Sequence, residues 1–95
     1  MKFFEVVNPA RALVCAEDNI ACREVCLQQL AGTLHEPIRI TDCHEIRFGQ
    51  MLRATSDVIN VETNQPLGMN EAANRIFHSV FQHEPIVFWK TEAQP

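Results

Sequence analysis

Glycine is scarce in this chain, and the sequence motifs that bind phosphate groups are missing. The three glycines form no Gly-x-Gly pair, no Walker sequence and no other glycine-rich loop that could wrap a nucleotide. A His-Glu-x-x-His zinc-protease sequence is also absent. These absences argue against nucleotide-dependent and metalloprotease chemistry, and we expect no cofactor.

Clusters of basic residues are lacking as well. Lys and Arg total 8 against 12 Asp and Glu, which gives a formal net charge of −4. The chain therefore lacks the positive surface that nucleic-acid binding normally requires. The acidic residues are scattered, so mimicry of DNA is not favoured, and the basic and aromatic motif of RNA-stacking sheets is missing despite Phe3 and Phe4. Direct binding of nucleic acid is not expected.

Long apolar runs are the third absence. No segment approaches the roughly 20 apolar residues that span a bilayer, and Met1–Glu5 lacks the apolar region of a secretory signal. We therefore expect no membrane association and a cytoplasmic location. In that reducing compartment, Cys15, Cys22, Cys26 and Cys43 are predicted to be free thiols rather than a disulfide framework.

The composition that is present is that of an ordinary folded domain. The 95 residues are 46% hydrophobic and 21% charged, which is typical of globular proteins and not of disordered acidic tails. This length leaves room for one hydrophobic core. We expect residues 1–95 to form a single α+β domain with a short polar tail at 91–95.

A four-residue sequence occurs twice. His35-Glu36-Pro37-Ile38 recurs at positions 83–86, and each copy follows a helix-like stretch and opens a β-branched one. A repeat of this kind can indicate duplicated supersecondary units. Two related halves, at about 9–42 and 55–90, are one interpretation, and a chance match is the other.

The first third of the chain predicts a strand followed by a helix. Residues 2–7 are aromatic and β-branched and end at Asn8-Pro9, which indicates a strand. Residues 9–19 allow two interpretations: the start of a long helix capped by Asn8, or a second strand near 13–17 followed by a helix after Asp18-Asn19. Both interpretations place a helix at 20–31.

The remainder alternates strands with a second helix. Residues 38–41 and 57–62 predict strands, whereas 44–56 has features of both a strand and a helical turn. Apolar residues at three- and four-residue steps predict a helix at 69–82, and 86–89 predict a final strand. This order is typical of a two-layer, ferredoxin-like split βαβ sandwich with a mostly antiparallel sheet and both helices on one face.

Two predicted strands carry apolar residues on both of their sides. In a two-layer sandwich, only one face of the sheet is buried against helices, so one apolar side would be enough. The pairs Phe3-Phe4 and Phe88-Trp89 place large aromatic groups on opposite sides of the sheet. An exposed aromatic side chain forfeits roughly 1.5 to 3 kcal/mol of available burial, so we predict that the second face is covered. The cover could be the segment 44–56, a second copy of the chain, or a target protein.

The cysteines and histidines permit three chemical hypotheses. Cys22, Cys26, Cys43 and His44 could supply four zinc ligands, although the two helical thiols flank an apolar stripe and are more typical of packing. Cys43 beside His44 could form a nucleophile pair, but neighbours on a strand point to opposite faces. The His-Glu pairs of the repeat could act as general acid–base pairs. They precede proline at helix ends, however, which favours a structural role for them.

A non-catalytic role follows as the leading hypothesis, because no catalytic motif is recognisable. Small acidic domains of this kind resemble, in size and character, the inhibitors carried by phages and other mobile elements, including anti-CRISPR proteins. That resemblance implies occlusion of a protein partner, with homodimerisation as a further expectation. The alternatives are a thiol- or zinc-dependent enzyme or sensor, and a dimeric ligand-binding regulatory domain. The predicted partner-binding residues are Phe3, Glu84, Val87, Trp89, Lys90 and Glu92.

Overall fold

The computed structural model describes residues 1–8, 11–30 and 42–90. None of the helices in these ranges combines the length and hydrophobicity needed to cross a bilayer. The strands are β1 (Lys2–Asn8), β2 (Ala12–Ala16), β3 (Asp42–Ile46), β4 (Ile59–Asn60), β5 (Gln65–Pro66) and β6 (Ile86–Trp89), and the helices are α1 (Asn19–Leu30), α2 (Phe48–Ser56) and α3 (Met69–Gln82).

The main sheet is antiparallel and has the strand order β3-β1-β2-β6. Its centre is the pair β1 and β2, in which Phe4 lies opposite Val14. Because β2 and β3 are both antiparallel to β1, they run in the same direction with β1 between them. The chain from β2 through α1 to β3 is therefore a split βαβ unit. The strands β4 and β5 form a separate small hairpin.

Helices cover both faces of this sheet. On one face, Val14 belongs to a buried cluster with Cys26 of α1. On the other face, Leu13 belongs to a second cluster with Met51 of α2 and Ile76 of α3. All five residues of β2 are buried, because this central strand has a helical layer on each side.

The α+β class and the antiparallel sheet are confirmed, but the placement of the helices differs from the prediction. The predicted helices at 20–31 and 69–82 correspond to α1 and α3, which pack against opposite faces. The protein thus has three layers instead of two. The reason is that the central strands carry apolar residues on both sides, so each face requires its own cover. The split βαβ unit is consistent with a ferredoxin-like topology, which as a whole remains a prediction.

The expected cover of the second face is confirmed, and it comes from the chain itself. Residues 44–56 divide into the end of β3 and the whole of α2, and α2 lies beside α3 on that face. Met51 and Thr55, one helical turn apart, are the buried residues of α2. The strand expected at 57–62 is reduced to β4, because the backbone N–H of Asn64 turns back to donate to the carbonyl of Asn60 at 2.7 Å.

The two interpretations of residues 9–19 are now distinguished. The strand β2 occupies 12–16 and α1 begins at Asn19, so the single long helix is wrong. Asp18 stops the strand and starts the helix: its Oδ1 accepts a hydrogen bond from the backbone N–H of Ala21 at 2.8 Å. Such a side-chain bond satisfies a backbone donor that has no partner within the helix.

Several predictions fall on residues outside the described ranges. These are the strand at 38–41, the first copy of the repeat at 35–38 and the polar tail at 91–95. The second copy of the repeat ends α3 and opens β6, as its sequence indicates. Internal duplication remains a prediction.

Candidate protein-binding surface

Four phenylalanine side chains form a continuous row on the side of the molecule that carries α2 and α3. The ring centroids of Phe3 and Phe48 are 5.7 Å apart, those of Phe48 and Phe77 are 5.7 Å apart, and those of Phe77 and Phe81 are 6.3 Å apart. These distances lie in the range of favourable ring–ring contacts. We call Phe3, Phe48, Phe77 and Phe81 the aromatic stripe.

The aromatic stripe becomes more exposed along its length. Phe3 is half-buried, whereas Phe48, Phe77 and Phe81 are 38%, 45% and 76% exposed. Isolated apolar side chains are ordinary on protein surfaces, but contiguous apolar patches are typical of contact sites. The stripe is contiguous, since each ring touches the next.

The exposure of the stripe follows from the geometry of α3. Ala72, Ile76 and Ser79 are the buried residues of this helix. Phe81 lies five positions after Ile76, which places the two about 140° apart around a helix of 3.6 residues per turn. The side chain of Phe81 therefore points well away from the core. Phe77, one turn before Phe81, lies between the buried side and the exposed side.

The last turn of α3, which carries Phe81, is held in place by a well-defined helix end. The backbone N–H of Glu84 donates to the carbonyl of Ser79 at 3.1 Å, and His83 adopts a left-handed conformation with φ of 54°. This is the hydrogen bond and the backbone geometry of a Schellman end. The Ser79 hydroxyl also donates to the carbonyl of Glu84, so the end is fixed by two bonds between the same residues.

The N-terminus of α2, which carries Phe48, is fixed by the side chain of Gln50. Its Oε1 accepts a hydrogen bond from the backbone N–H of Arg47 at 3.0 Å. Phe48 follows directly as the first residue of the helix. The ring is thereby placed between Phe3 of β1 and Phe77 of α3.

The predicted partner-binding residues that the structure describes lie on more than one face of the sheet. Phe3 belongs to the aromatic stripe, but Val87 and Trp89 pack on the opposite face, against the cluster that contains α1. The indole Nε1 of Trp89 donates to Oε1 of Gln29 in α1 at 2.7 Å. Trp89 is therefore partly buried against the face that α1 covers.

Two of the three charged residues of the predicted surface lie within the described ranges. Lys90 Nζ lies 3.8 Å from Oε2 of Glu5, and Glu84 is exposed at the end of α3. Glu92 lies outside the described ranges.

Three of the four candidate metal ligands lie together, and the fourth does not. Sγ of Cys22 and Sγ of Cys43 are 3.4 Å apart, and the thiols of Cys22 and Cys26 share a hydrogen bond. His44 lies on the other face of β3, where its Nε2 is 3.5 Å from Oε1 of Glu5. Within residues 1–8, 11–30 and 42–90, no group of three or more His, Cys, Asp or Glu side chains has an arrangement suited to a metal ion.

The environment of these thiols perturbs their titration. The pKa of Cys22 is raised above its usual range by its hydrogen bond with Cys26 and by burial. The same hydrogen bond lowers the pKa of Cys26. Because strand alternation separates Cys43 from His44, the histidine is not placed to accept the proton of that thiol. The geometry does not support a Cys43–His44 nucleophile pair.

One cleft lies beside the edge strand β6. It has a volume of about 290 Å³ and lies between β6 and the β4–β5 hairpin, with Val61, Val87 and Trp89 among its lining residues. The guanidinium of Arg75 also lines it, but Nε of this group is already 2.8 Å from Oε1 of Glu71. The arginine of the cleft is therefore already paired with a carboxylate of the protein. The residues that line the cleft do not form a convergent set of catalytic groups.

The sequence of α3 contains a signal for the stripe in the width of its apolar face. In α3 the apolar residues Met69, Phe77 and Phe81 are additional to the buried Ile76. When the apolar face of a helix is wider than its contact with the core requires, the excess predicts a second apolar contact on the same helix. The contribution of Phe48 had no such signal, because it depends on where α2 begins.

Comparisons of the chain with protein-family models, with curated proteins and with solved structures found no match.

Proposed function

We propose that this chain is a non-catalytic protein-binding protein that uses the aromatic stripe to occlude a surface of a protein partner. The observation that carries the proposal is the unbroken contact from Phe3 to Phe81, with Phe81 76% exposed. Burial of a phenylalanine contributes roughly 1.5 to 3 kcal/mol. Aromatic side chains at the centre of an interface commonly supply most of its binding energy.

The partner we propose is a different protein with a neutral or basic contact surface. The formal net charge of −4 means that two copies of this chain repel each other, whereas a basic surface is attracted. The polar residues of α3 beside the stripe, Asn70 and Asn74, are uncharged, so they do not oppose an apolar contact. Homodimerisation through the stripe is the competing outcome of the experiment below.

A cytoplasmic location is part of this proposal and is supported by the four free thiols among the described residues, Cys15, Cys22, Cys26 and Cys43. The resemblance in size and character to inhibitors from phages and other mobile elements supports occlusion as the mode of action.

The experiment places a photo-crosslinking residue, benzoyl-phenylalanine, at position 81 or at position 61 in the cells that make the protein. Val61 is the matched control because it is 81% exposed and apolar but lies outside the stripe. We expect a protein that crosslinks at position 81 and not at position 61. The purified partner is then titrated with the wild-type chain, with Phe77→Ser and with Val61→Ser.

The proposal requires that Phe77→Ser weakens this complex at least about tenfold, which corresponds to 1.4 kcal/mol, and that Val61→Ser leaves it unchanged. Equal affinities of the two variants would place the contact elsewhere. Light scattering on the purified chain provides the second criterion. If the wild-type chain has the mass of a dimer and Phe77→Ser has the mass of a monomer, the stripe binds a second copy of the chain and not a different protein.

A further inference from the structure

The thiols of Cys22 and Cys43 connect two elements that are distant in sequence. Cys22 lies in the first turns of α1 and Cys43 lies in β3, 21 positions later, yet their Sγ atoms are 3.4 Å apart. Cys22 is fully buried, whereas Cys43 is partly exposed. Cys26, one turn after Cys22, is also fully buried.

This arrangement differs from cysteines that only fill space. A disulfide bond is about 2.0 Å long, so the two sulfur atoms need to approach by only about 1.4 Å to reach it. Asn19, the first residue of α1, points its Nδ2 at Sγ of Cys43 from 3.9 Å. This polar contact places Asn19 beside the partly exposed thiol of the pair.

We propose that Cys22 and Cys43 are a redox-active pair that forms a reversible disulfide between α1 and β3. The oxidant is a small-molecule disulfide, and Cys43 is the thiol that meets it because Cys43 is the partly exposed member of the pair.

The exchange proceeds in two displacements. In the first, the thiolate of Cys43, having released its proton to water, attacks one sulfur of the external disulfide and expels one small thiolate. In the second, Sγ of Cys22 attacks Sγ of Cys43 and passes its proton to the departing second small thiolate as the S–S bond forms. The first small thiolate takes up the proton that Cys43 released to water. The protein is oxidised by two electrons, and one disulfide is reduced to two thiols.

The pair lies on the face of the sheet that α1 covers, whereas the aromatic stripe lies on the face covered by α2 and α3. The disulfide therefore fixes α1 against β3 without altering the stripe. The inference is independent of the proposed binding function, and either can fail without the other.

The test uses the full chain, reduced and freed of reductant, and oxidised glutathione as the probe. Intact mass is followed over time, and the product is digested without reduction. Trypsin together with a glutamate-specific protease separates all four cysteines, because Glu17 lies between Cys15 and Cys22 and Arg23 lies between Cys22 and Cys26. We expect the loss of two hydrogen atoms, no retained glutathione, and a crosslinked peptide pair that contains Cys22 and Cys43.

Three variants assign the roles. Cys22→Ser should stop at a glutathione adduct on Cys43, Cys43→Ser should leave Cys22 reduced, and the control Cys26→Ser should still form the Cys22–Cys43 bond. A wild-type product that retains glutathione, that contains Cys26 in the crosslink, or that shows no oxidation would overturn the proposal. Because the wild-type digest alone distinguishes these results, the test does not depend on every variant folding.

Discussion

Trp89 donates a hydrogen bond from Nε1 to Oε1 of Gln29, with 2.7 Å between the atoms and 60 positions between the residues. This bond joins the last turns of α1 to the edge strand β6. Because Trp89 is the only tryptophan, its fluorescence reports directly on whether α1 is docked on the sheet.

Loss of this bond should loosen α1. Gln29→Ala is expected to lower the free energy of unfolding by about 0.5 to 1.5 kcal/mol, the usual net contribution of one hydrogen bond, and to shift Trp89 emission to longer wavelength. Urea denaturation followed by fluorescence measures both effects. Gln28→Ala, at the neighbouring position of α1, is the control; equal losses in the two variants would mean that the bond does not contribute.

The aromatic stripe should contribute little to folding. Phe81→Ser is expected to change the free energy of unfolding by less than about 1 kcal/mol, because most of the side chain is already in water. Ile76→Ala, on the buried side of the same helix, should cost about 2 to 4 kcal/mol. Urea titrations of both variants provide the comparison, and a large loss in Phe81→Ser would indicate that the stripe is structural.

Thr55 offers a stabilising substitution. Its Oγ1 is buried and has no hydrogen-bond partner among the residues that the structure describes. Replacing the hydroxyl with a methyl group in Thr55→Val should raise the free energy of unfolding by about 1 kcal/mol, because the cost of burying an unpaired polar group is removed.

Thr55→Ser is the matched control, since it keeps the hydroxyl and loses the methyl group, and it should be destabilising by about 1 kcal/mol. In thermal melts, we expect a melting temperature above that of the wild type for Thr55→Val and below it for Thr55→Ser. A lower melting temperature for Thr55→Val would mean that the hydroxyl is satisfied in solution.

Alkaline pH should destabilise the protein through Cys15. Burial raises the pKa of this thiol to about 11, against an ordinary value of 9.0. Between these values the unfolded chain has released the proton and the folded chain still holds it, so the free energy of unfolding falls as the pH rises. The full difference amounts to roughly 1 to 3 kcal/mol, at 1.36 kcal/mol per unit.

The measurement is urea denaturation from pH 8 to pH 11 with reductant present. Cys15→Ser, which cannot titrate in this range, should show a shallower decline than the wild type. Parallel curves for the two proteins would show that Cys15 titrates alike in the folded and unfolded states.

The parts of the fold that were predictable from sequence are those with a local signal. The strand β1, the helix α3 and the strand β6 each combine periodicity with a breaker such as Asn8 or Pro85, and their predicted bounds agree with the observed ones within about two residues. The helix α1, Asn19–Leu30, agrees with the helix that both interpretations of the preceding residues predict at 20–31.

What could not be predicted depends on contacts between distant segments. Residues 42–56 contain a strand and a helix in a stretch too short for either period to be evident. The three-layer arrangement was implied by the apolar residues on both sides of β1 and β6, but the choice between an internal cover and a partner needed the position of α2. The stripe needed both α2 and α3 in place, because only then does Phe48 meet Phe77.

The central position of β1 and β2 has a consequence for how the chain folds. These strands are neighbours in sequence as well as in the sheet, so the middle of the sheet is a hairpin that closes a short loop at little entropic cost. The outer strands β3 and β6 arrive from much farther along the chain. We therefore expect the β1–β2 hairpin to form early in folding, before β3 and β6 join the sheet. Substitutions in the hairpin should then slow refolding more than equivalent substitutions in β6.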